Sequence, residues 1–246
     1  MWNKPHLLNA LADLLVLVAA AALLAAAAVW LVRVPALPIK QVVFAEPLPH
    51  TRRGEVEQVL PAALKGNFFS LNLDVVRASL QTLPWVRKVD VRRIWPAKLE
   101  ISIEEHKPVA RWGEGRSELV NSYGEVFAAQ LPDEESVGLP LLFGPNGTAQ
   151  EVLTHYGNFV EAFKTVGETP VQVTLSPRLA WQVKLQNGML VDIGREQTKA
   201  PVGVRLQRFI EIYPETVAKR AVRPAVVDLR YPNGFAMRVA GEGKGK

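Results

Sequence analysis

Residues Pro84 to Trp112 read PWVRKVDVRRIWPAKLEISIEEHKPVARW, and their patterning decides the fold of the segment around them. Leu99, Ile101 and Ile103 alternate with Lys98, Glu100, Ser102 and Glu104, the period that sends neighbouring side chains to opposite faces of a sheet. Val89 and Val91 alternate in the same way with Lys88, Asp90 and Arg92. Between the two runs stands Trp95-Pro96, where a residue lacking an N–H must end strand hydrogen bonding. The stretch is a half-solvated hairpin, and its apolar face needs a cover from elsewhere in the chain. Glu104 and Glu105, consecutive on a strand, diverge to opposite faces and read as solvated edge charges rather than an acid/base pair.

The cover lies upstream. Asn72 is a good N-cap, Asp74 falls in the first turn, and Leu73, Val76, Leu80 and Leu83 form an apolar stripe that Pro84 closes. Arg53 to Leu64 reads as an earlier helix through Val56, Val59, Leu60 and Leu64, with Pro61 against its last turn. IKQVVFAE, from Ile39, is a strand that follows the stiff connector VPALP. The order is strand, helix, helix, strand, strand, with two amphipathic helices to cover a three-stranded sheet.

Leu14 to Val32, LLVLVAAAALLAAAAVWLV, carries no charge, and as a helix it is roughly 28 Å long, close to the hydrocarbon thickness of a bilayer. It reads as one membrane crossing. The alternative is a cleaved signal peptide, whose apolar region is shorter, about 7 to 15 residues. Lys4 precedes the run while Arg33, Lys40, Arg52 and Arg53 follow it, a count that leaves orientation open because large domains cross regardless of charge.

Beyond Pro108 the chain is mostly strand. Val109 to Trp112, SELVNSYGEVFAA turning at Asn121 to Gly124, and LPLLFG are short strands. A helix runs from Thr148 to Val166, with Thr148 and Glu151 as a capping box and Val152, Tyr156, Phe159, Val160 and Phe163 as its stripe. VQVTL, AWQVKLQ and MLVDIG follow, the last two joined by the hairpin signal Asn187-Gly188. A helix from about Pro201 to Tyr213, striped by Val202, Leu206, Phe209 and Tyr213, closes the sheet's other flank. PAVVDLR and FAMRV end the fold, linked by Tyr231-Pro232-Asn233-Gly234, where Pro suits the second turn position and Gly permits positive φ. GEGKGK is a disordered tail.

Composition excludes several function classes. The 246 residues are 48% hydrophobic and 22% charged, enough for packed cores. Net charge is +5, but basic and acidic residues are interleaved without a Lys/Arg block, so nucleic acid is not expected as a partner. His6, His50, His106 and His155 are scattered and cysteine is absent, so no metal site is expected. The chain has no nucleophile elbow and no phosphate loop. It reads as a non-enzyme, with no cofactor and no small-molecule substrate.

The order of one N-terminal span, a β-α-α-β-β module and an α+β module, with the opening stretch, SPRLAWQVKLQNGMLVDIG, RFIEIYP and VVDLRYPNGFA, resembles the FtsQ/DivIB family of bacterial cell-division proteins. The fold class expected is α+β: a single transmembrane helix, a polypeptide-transport-associated (POTRA) domain, then a domain with a mainly antiparallel sheet. The resemblance implies a tail at 1–13, span at 14–32, linker at 33–38, POTRA domain at 39–106, periplasmic β domain at 107–240 and free tail from 241. It implies a non-catalytic scaffold of the division complex, in the inner membrane with its amino terminus cytoplasmic and its domains periplasmic, concentrated at the septum. Its β domain is implied to hold the periplasmic segments of FtsB and FtsL, with Tyr231, Asn233 and Gly234 matching the family's partner-binding turn. The tail is short for the family, and the link from Gly194 to Arg205 looks longer than usual, which leaves the start of the last helix open.

Strand addition is the physical route these residues suggest. If Phe235, Ala236 and Met237 begin an edge strand, its free N–H and C=O groups accept a partner strand. Tyr231 is then an aromatic anchor, and Arg178 and Arg230 pair with acidic residues of the partner. Two rival readings are a polypeptide-transport chaperone, which calls for tandem modules or a barrel, and a membrane-anchored periplasmic hydrolase, which calls for convergent catalytic groups.

Overall fold

The computed structural model describes residues 5–33, 38–115, 117–219, 222–231 and 234–239. The chain divides into two compact units, Met1–Glu105 and His106–Lys246. The first opens with helix α1 (Pro5–Arg33), whose apolar window Asn9–Trp30 is 22 residues long and unburied. At helical rise that window spans about 33 Å, enough to cross a bilayer. The helix starts ahead of the apolar run because helix propensity persists where hydrophobicity stops, and Pro5 is tolerated in a first turn.

The rest of the first unit is β1 (Gln41–Phe44), α2 (Arg53–Ala63), α3 (Leu73–Leu80), β2 (Val86–Ile94) and β3 (Lys98–Glu105). The sheet order is β1-β3-β2, with β1 parallel and β2 antiparallel to β3. Val56 and Leu60 of α2 and Val76 and Leu80 of α3 pack on Val89, Val91, Leu99, Ile101 and Ile103, the cover the hairpin requires. Pro61 lies inside α2, which ends two residues later. Asn72 Oδ1 caps α3 by accepting from the N–H groups of Asp74 (2.9 Å) and Val75 (3.3 Å).

The hairpin's charged outer face is stitched across its strands. Arg92 stands opposite Glu100 and bonds it, and Arg87 Nη1 donates to Glu104 Oε1 at 2.9 Å. Glu105 departs from its reading as a solvated charge. Its carboxylate accepts from the backbone N–H of Thr51 (2.7 Å) and His50 (3.1 Å), and His50 Nδ1 lies 3.3 Å away. Burial raises its pKa, yet these bonds outweigh it and hold the carboxyl below the usual range. The cause is a loop more than fifty residues upstream, invisible in local pattern.

Because the folded pKa is depressed, Glu105 stabilises the unit fully above the ordinary carboxylate pKa, and the contribution is lost as pH falls through the folded value. Glu105→Gln is expected to destabilise the unit at pH 7 by about 1 to 3 kcal/mol, the worth of hydrogen bonds to a charged group. It should also flatten the acid limb of stability against pH. Hydrogen exchange of the β3 amides from pH 7 downward measures both.

The second unit comprises β4 (Pro108–Trp112), β5 (Glu118–Asn121), β6 (Val126–Ala128), α4 (Asp133–Ser136), β7 (Leu141–Phe143), α5 (Ala149–Lys164), β8 (Pro170–Leu175), β9 (Ala180–Leu185), β10 (Leu190–Arg195), α6 (Val202–Thr216), β11 (Pro224–Asp228) and β12 (Ala236–Val239). They form one sheet in the order β12-β11-β10-β9-β8-β7-β4-β5-β6. Most pairs are antiparallel; β4–β7, β7–β8 and β10–β11 are parallel, the last two joined through α5 and α6, as parallel neighbours need a crossover. Val173, Val183, Val191 and Val227 stand side by side in register, all fully buried, and the row ends at Met237 on β12.

Phe159 and Phe163 of α5 and Leu206, Phe209 and Tyr213 of α6 cover that row in one core. Helix α6 lies beside α5, so it covers the far flank of the same face and not the opposite face. Its start is fixed at Val202, whose N–H donates to both Glu196 carboxylate oxygens (3.2 and 3.3 Å) across the long link. One local reading fails. Thr148 makes no capping bond, because its Oγ1 donates to the Pro145 carbonyl at 2.7 Å. The hairpin at Asn187-Gly188 is present: β9 and β10 pair antiparallel through the four-residue loop 186–189, with Gly188 alone in it at positive φ and Asn187 Oδ1 accepting from Met189 N–H at 2.9 Å.

Candidate functional site

The carboxyl-terminal strand stands at the edge of the nine-stranded sheet. Its register on β11 is Asp228↔Ala236, Val227↔Met237 and Val226↔Arg238, and β11 is its sole strand neighbour among the described residues. Alternation sets the two faces. Met237 turns toward the helices, while Ala236 and Arg238 are exposed on the open face. Phe235 anchors the approach to the strand, its ring 5.5 Å from that of Phe209 on α6 and edge-on to it. An edge strand held by its neighbours but unpaired on one side presents backbone donors and acceptors in fixed geometry.

Around this edge the candidate residues take distinct roles. Tyr231 is 55% exposed, an aromatic ring left in solvent beside the strand. Gly234 is not among the glycines at positive φ, and a Cβ there meets no described atom within 4 Å. Asn233, with Pro232, lies outside the described residues, and so does the expected turn geometry. Arg230 is turned inward electrostatically, since its Nε and Nη2 fork onto Asp228 at 2.8 and 2.5 Å. That fork holds the Asp228 carboxyl below its usual range and pushes the Arg230 pKa up. Arg230 therefore already has its acid, and a partner carboxylate would have to share or displace Asp228.

The family models complete the comparison. Residues 37–106 match "POTRA domain, FtsQ-type" and residues 110–230 match "Cell division protein FtsQ/DivIB, C-terminal". The chain is 39% identical to "Cell division protein FtsQ" of Burkholderia pseudomallei over 241 residues, covering 98% of this chain and 95% of that protein. The protein of the same name from Nitrosospira multiformis is 36% identical over 243 residues, 97% of this chain and 99% of its own. The chain belongs to the FtsQ/DivIB family of cell division proteins. A role in bacterial cell division and the POTRA fold of its first unit come with that membership.

In this FtsQ/DivIB family member the sheet brings together arginines distant in sequence. Arg178, exposed in the β8–β9 turn, and Arg230 line one open depression of about 570 Å³ with Arg195, Glu196 and Ser176. The turn is tight: Leu179 takes φ +58° and its N–H donates to the Ser176 carbonyl at 2.8 Å. Gly194 forms the floor. It sits at φ +85°, and a Cβ there would come within 2.8 Å of Arg230 Cγ. Gly194→Ala is expected to cost about 1 to 2 kcal/mol of backbone strain, and it should also push Arg230 off Asp228. Native-state hydrogen exchange of the β10 amides and an acid titration of Asp228 check the two effects separately.

Arg195 and Arg205 are the site residues that sequence reasoning missed. Arg205 is 2% exposed, its Nη2 donates to the Arg195 carbonyl at 2.5 Å, and it lines a crevice with Tyr231, Gly234 and Phe235. Burial lowers its pKa, with Glu196 opposing. A signal was available: Arg205 follows Val202 by three and so falls on the apolar stripe of α6, where an unpartnered charge is costly. Among the described residues no group of three or more His, Asp or Glu side chains is placed to hold a metal ion.

Proposed function

We propose that this chain is a non-catalytic, single-pass scaffold of the division complex, held in the inner membrane by α1 with both folded units in the periplasm. On this reading it captures the periplasmic segments of FtsB, and with it FtsL, by adding a partner strand to β12. In doing so it links early and late division proteins at the septum. The observation that carries the reading is the position of β12 at the sheet edge with Tyr231 exposed beside it. Backbone pairing supplies the affinity of such an addition, while alternate side chains, here Ala236 and Arg238 against Met237, supply specificity. Arg178 and Arg195 form a basic margin that favours an acidic segment next to the partner strand, while Arg230 joins it only by sharing or exchanging Asp228 for a partner carboxylate.

The test is a photo-activated cross-linker placed at Arg238 in dividing cells, with the opposite sheet edge at Val126 as control. An adduct with FtsB at 238 and none at 126 is expected. If 238 yields no FtsB adduct while the protein still supports division, capture at this edge is wrong. Depleting the protein tests the broader role, with filamentous, undivided cells as the expected outcome.

A further inference from the structure

The tip of the β2–β3 hairpin and the loop before α3 beside it expose large apolar side chains. Trp95 is 67% exposed, Phe69 41% and Ile94 37%. The patch is held in place. Phe68, buried, packs edge-on against Phe69 and Trp95 with ring centroids 5.4 and 5.8 Å away. Arg93 Nη2 donates to the Leu71 carbonyl at 2.5 Å, tying the loop that carries Phe68 and Phe69 to the end of β2. Lys98 in the hairpin and Lys40 next to it are both exposed.

Chain connectivity says what such a patch meets. The Lys40 N–H donates to the Ala97 carbonyl at 2.9 Å, which holds the tip beside Lys40. Helix α1 ends at Arg33, seven residues before Lys40. Seven residues reach at most about 25 Å fully extended. The tip is thus leashed near the point where α1 leaves the bilayer, and the headgroup layer is where Trp rings and Lys side chains are both favoured.

We propose that Trp95, Phe69 and Ile94 dock into the phospholipid headgroup layer of the leaflet from which α1 emerges, with Lys40 and Lys98 facing lipid phosphates. The inference rests on α1 spanning the membrane and is independent of partner capture at β12. It gives the first unit a second attachment to the membrane besides its covalent one.

The chain has no cysteine, so single spin labels can be placed cleanly on the full-length protein. In nanodiscs of phosphatidylethanolamine and phosphatidylglycerol, labels are introduced by Ile94→Cys at the tip, Gln81→Cys at the exposed end of α3, and Trp30→Cys in the span. The label at 94 should collide with an aqueous nickel chelate several-fold less than the label at 81. Adding Phe69→Ala and Trp95→Ala should restore its access to water, with unchanged hydrogen exchange in β2 and β3 showing that the unit stays folded. A label at 94 as open to nickel as the one at 81, while that at 30 remains in lipid, overturns the docking alone and leaves a protein as the occupant. A label at 30 that is itself aqueous removes the anchor, and the docking falls with it.

Discussion

Replacing Tyr231 by alanine is expected to weaken capture of an FtsB periplasmic segment by about 2 to 4 kcal/mol, roughly 30- to 1000-fold, the range of an aromatic hot spot in an interface. The fold should not notice. Tyr231 is more than half exposed, and the core against β12 is made by Phe235 and Met237. Gly234→Trp tests the same site by the opposite means. A Cβ there meets no described atom within 4 Å, so the indole is expected to project toward the space proposed for the partner and to block it. Pull-down and titration calorimetry with the purified variants read the effect, while hydrogen exchange of β10 and β11 confirms the fold. Full binding by either folded variant would move the capture site away from this turn.

Phe159→Ala is expected to produce the largest loss of stability in the second unit, about 3 to 5 kcal/mol, because it removes a ring from a filled core. Phe159 is 2% exposed and meets Trp181 edge-on at 5.9 Å beneath α5. Native-state hydrogen exchange at Val183 and Val191 reports on this unit separately, where global unfolding of a two-unit chain would not be two-state. Those amides should exchange faster by about two to four orders of magnitude, as the free-energy loss implies. Partner capture should weaken with it, since β12 is positioned by the sheet that α5 and α6 clamp. A loss confined below about 1 kcal/mol would mean that the cavity collapses onto the sheet.

The contrast between these substitutions shows where the sequence was readable. Period-two and period-three-to-four patterns are local, so the β2–β3 hairpin, its covering helices and the Val173 and Val191 strands stood out. Local capping logic was less reliable. Asn72 caps α3 as its pattern says, whereas the Pro145 carbonyl takes the Thr148 hydroxyl away from α5. Glu105 and Arg205 were misread or passed over because their partners, Thr51 and the Arg195 carbonyl, are set by how the chain packs.

By itself the sequence determined an apolar helix long enough for a bilayer, the element order of both units apart from the short α4, which reads as a polar loop, and most of the residues that fill their cores, because each follows from periodicity within one segment. It also placed an aromatic and a glycine before the last strand. Only the tertiary structure decided that this strand lies at an edge, that Arg178 and Arg230 share one margin, and that Asp228 already occupies Arg230. Strand order and side-chain pairing between distant segments depend on which faces must be buried together, and that is settled by packing of the whole unit rather than by any one stretch of the chain.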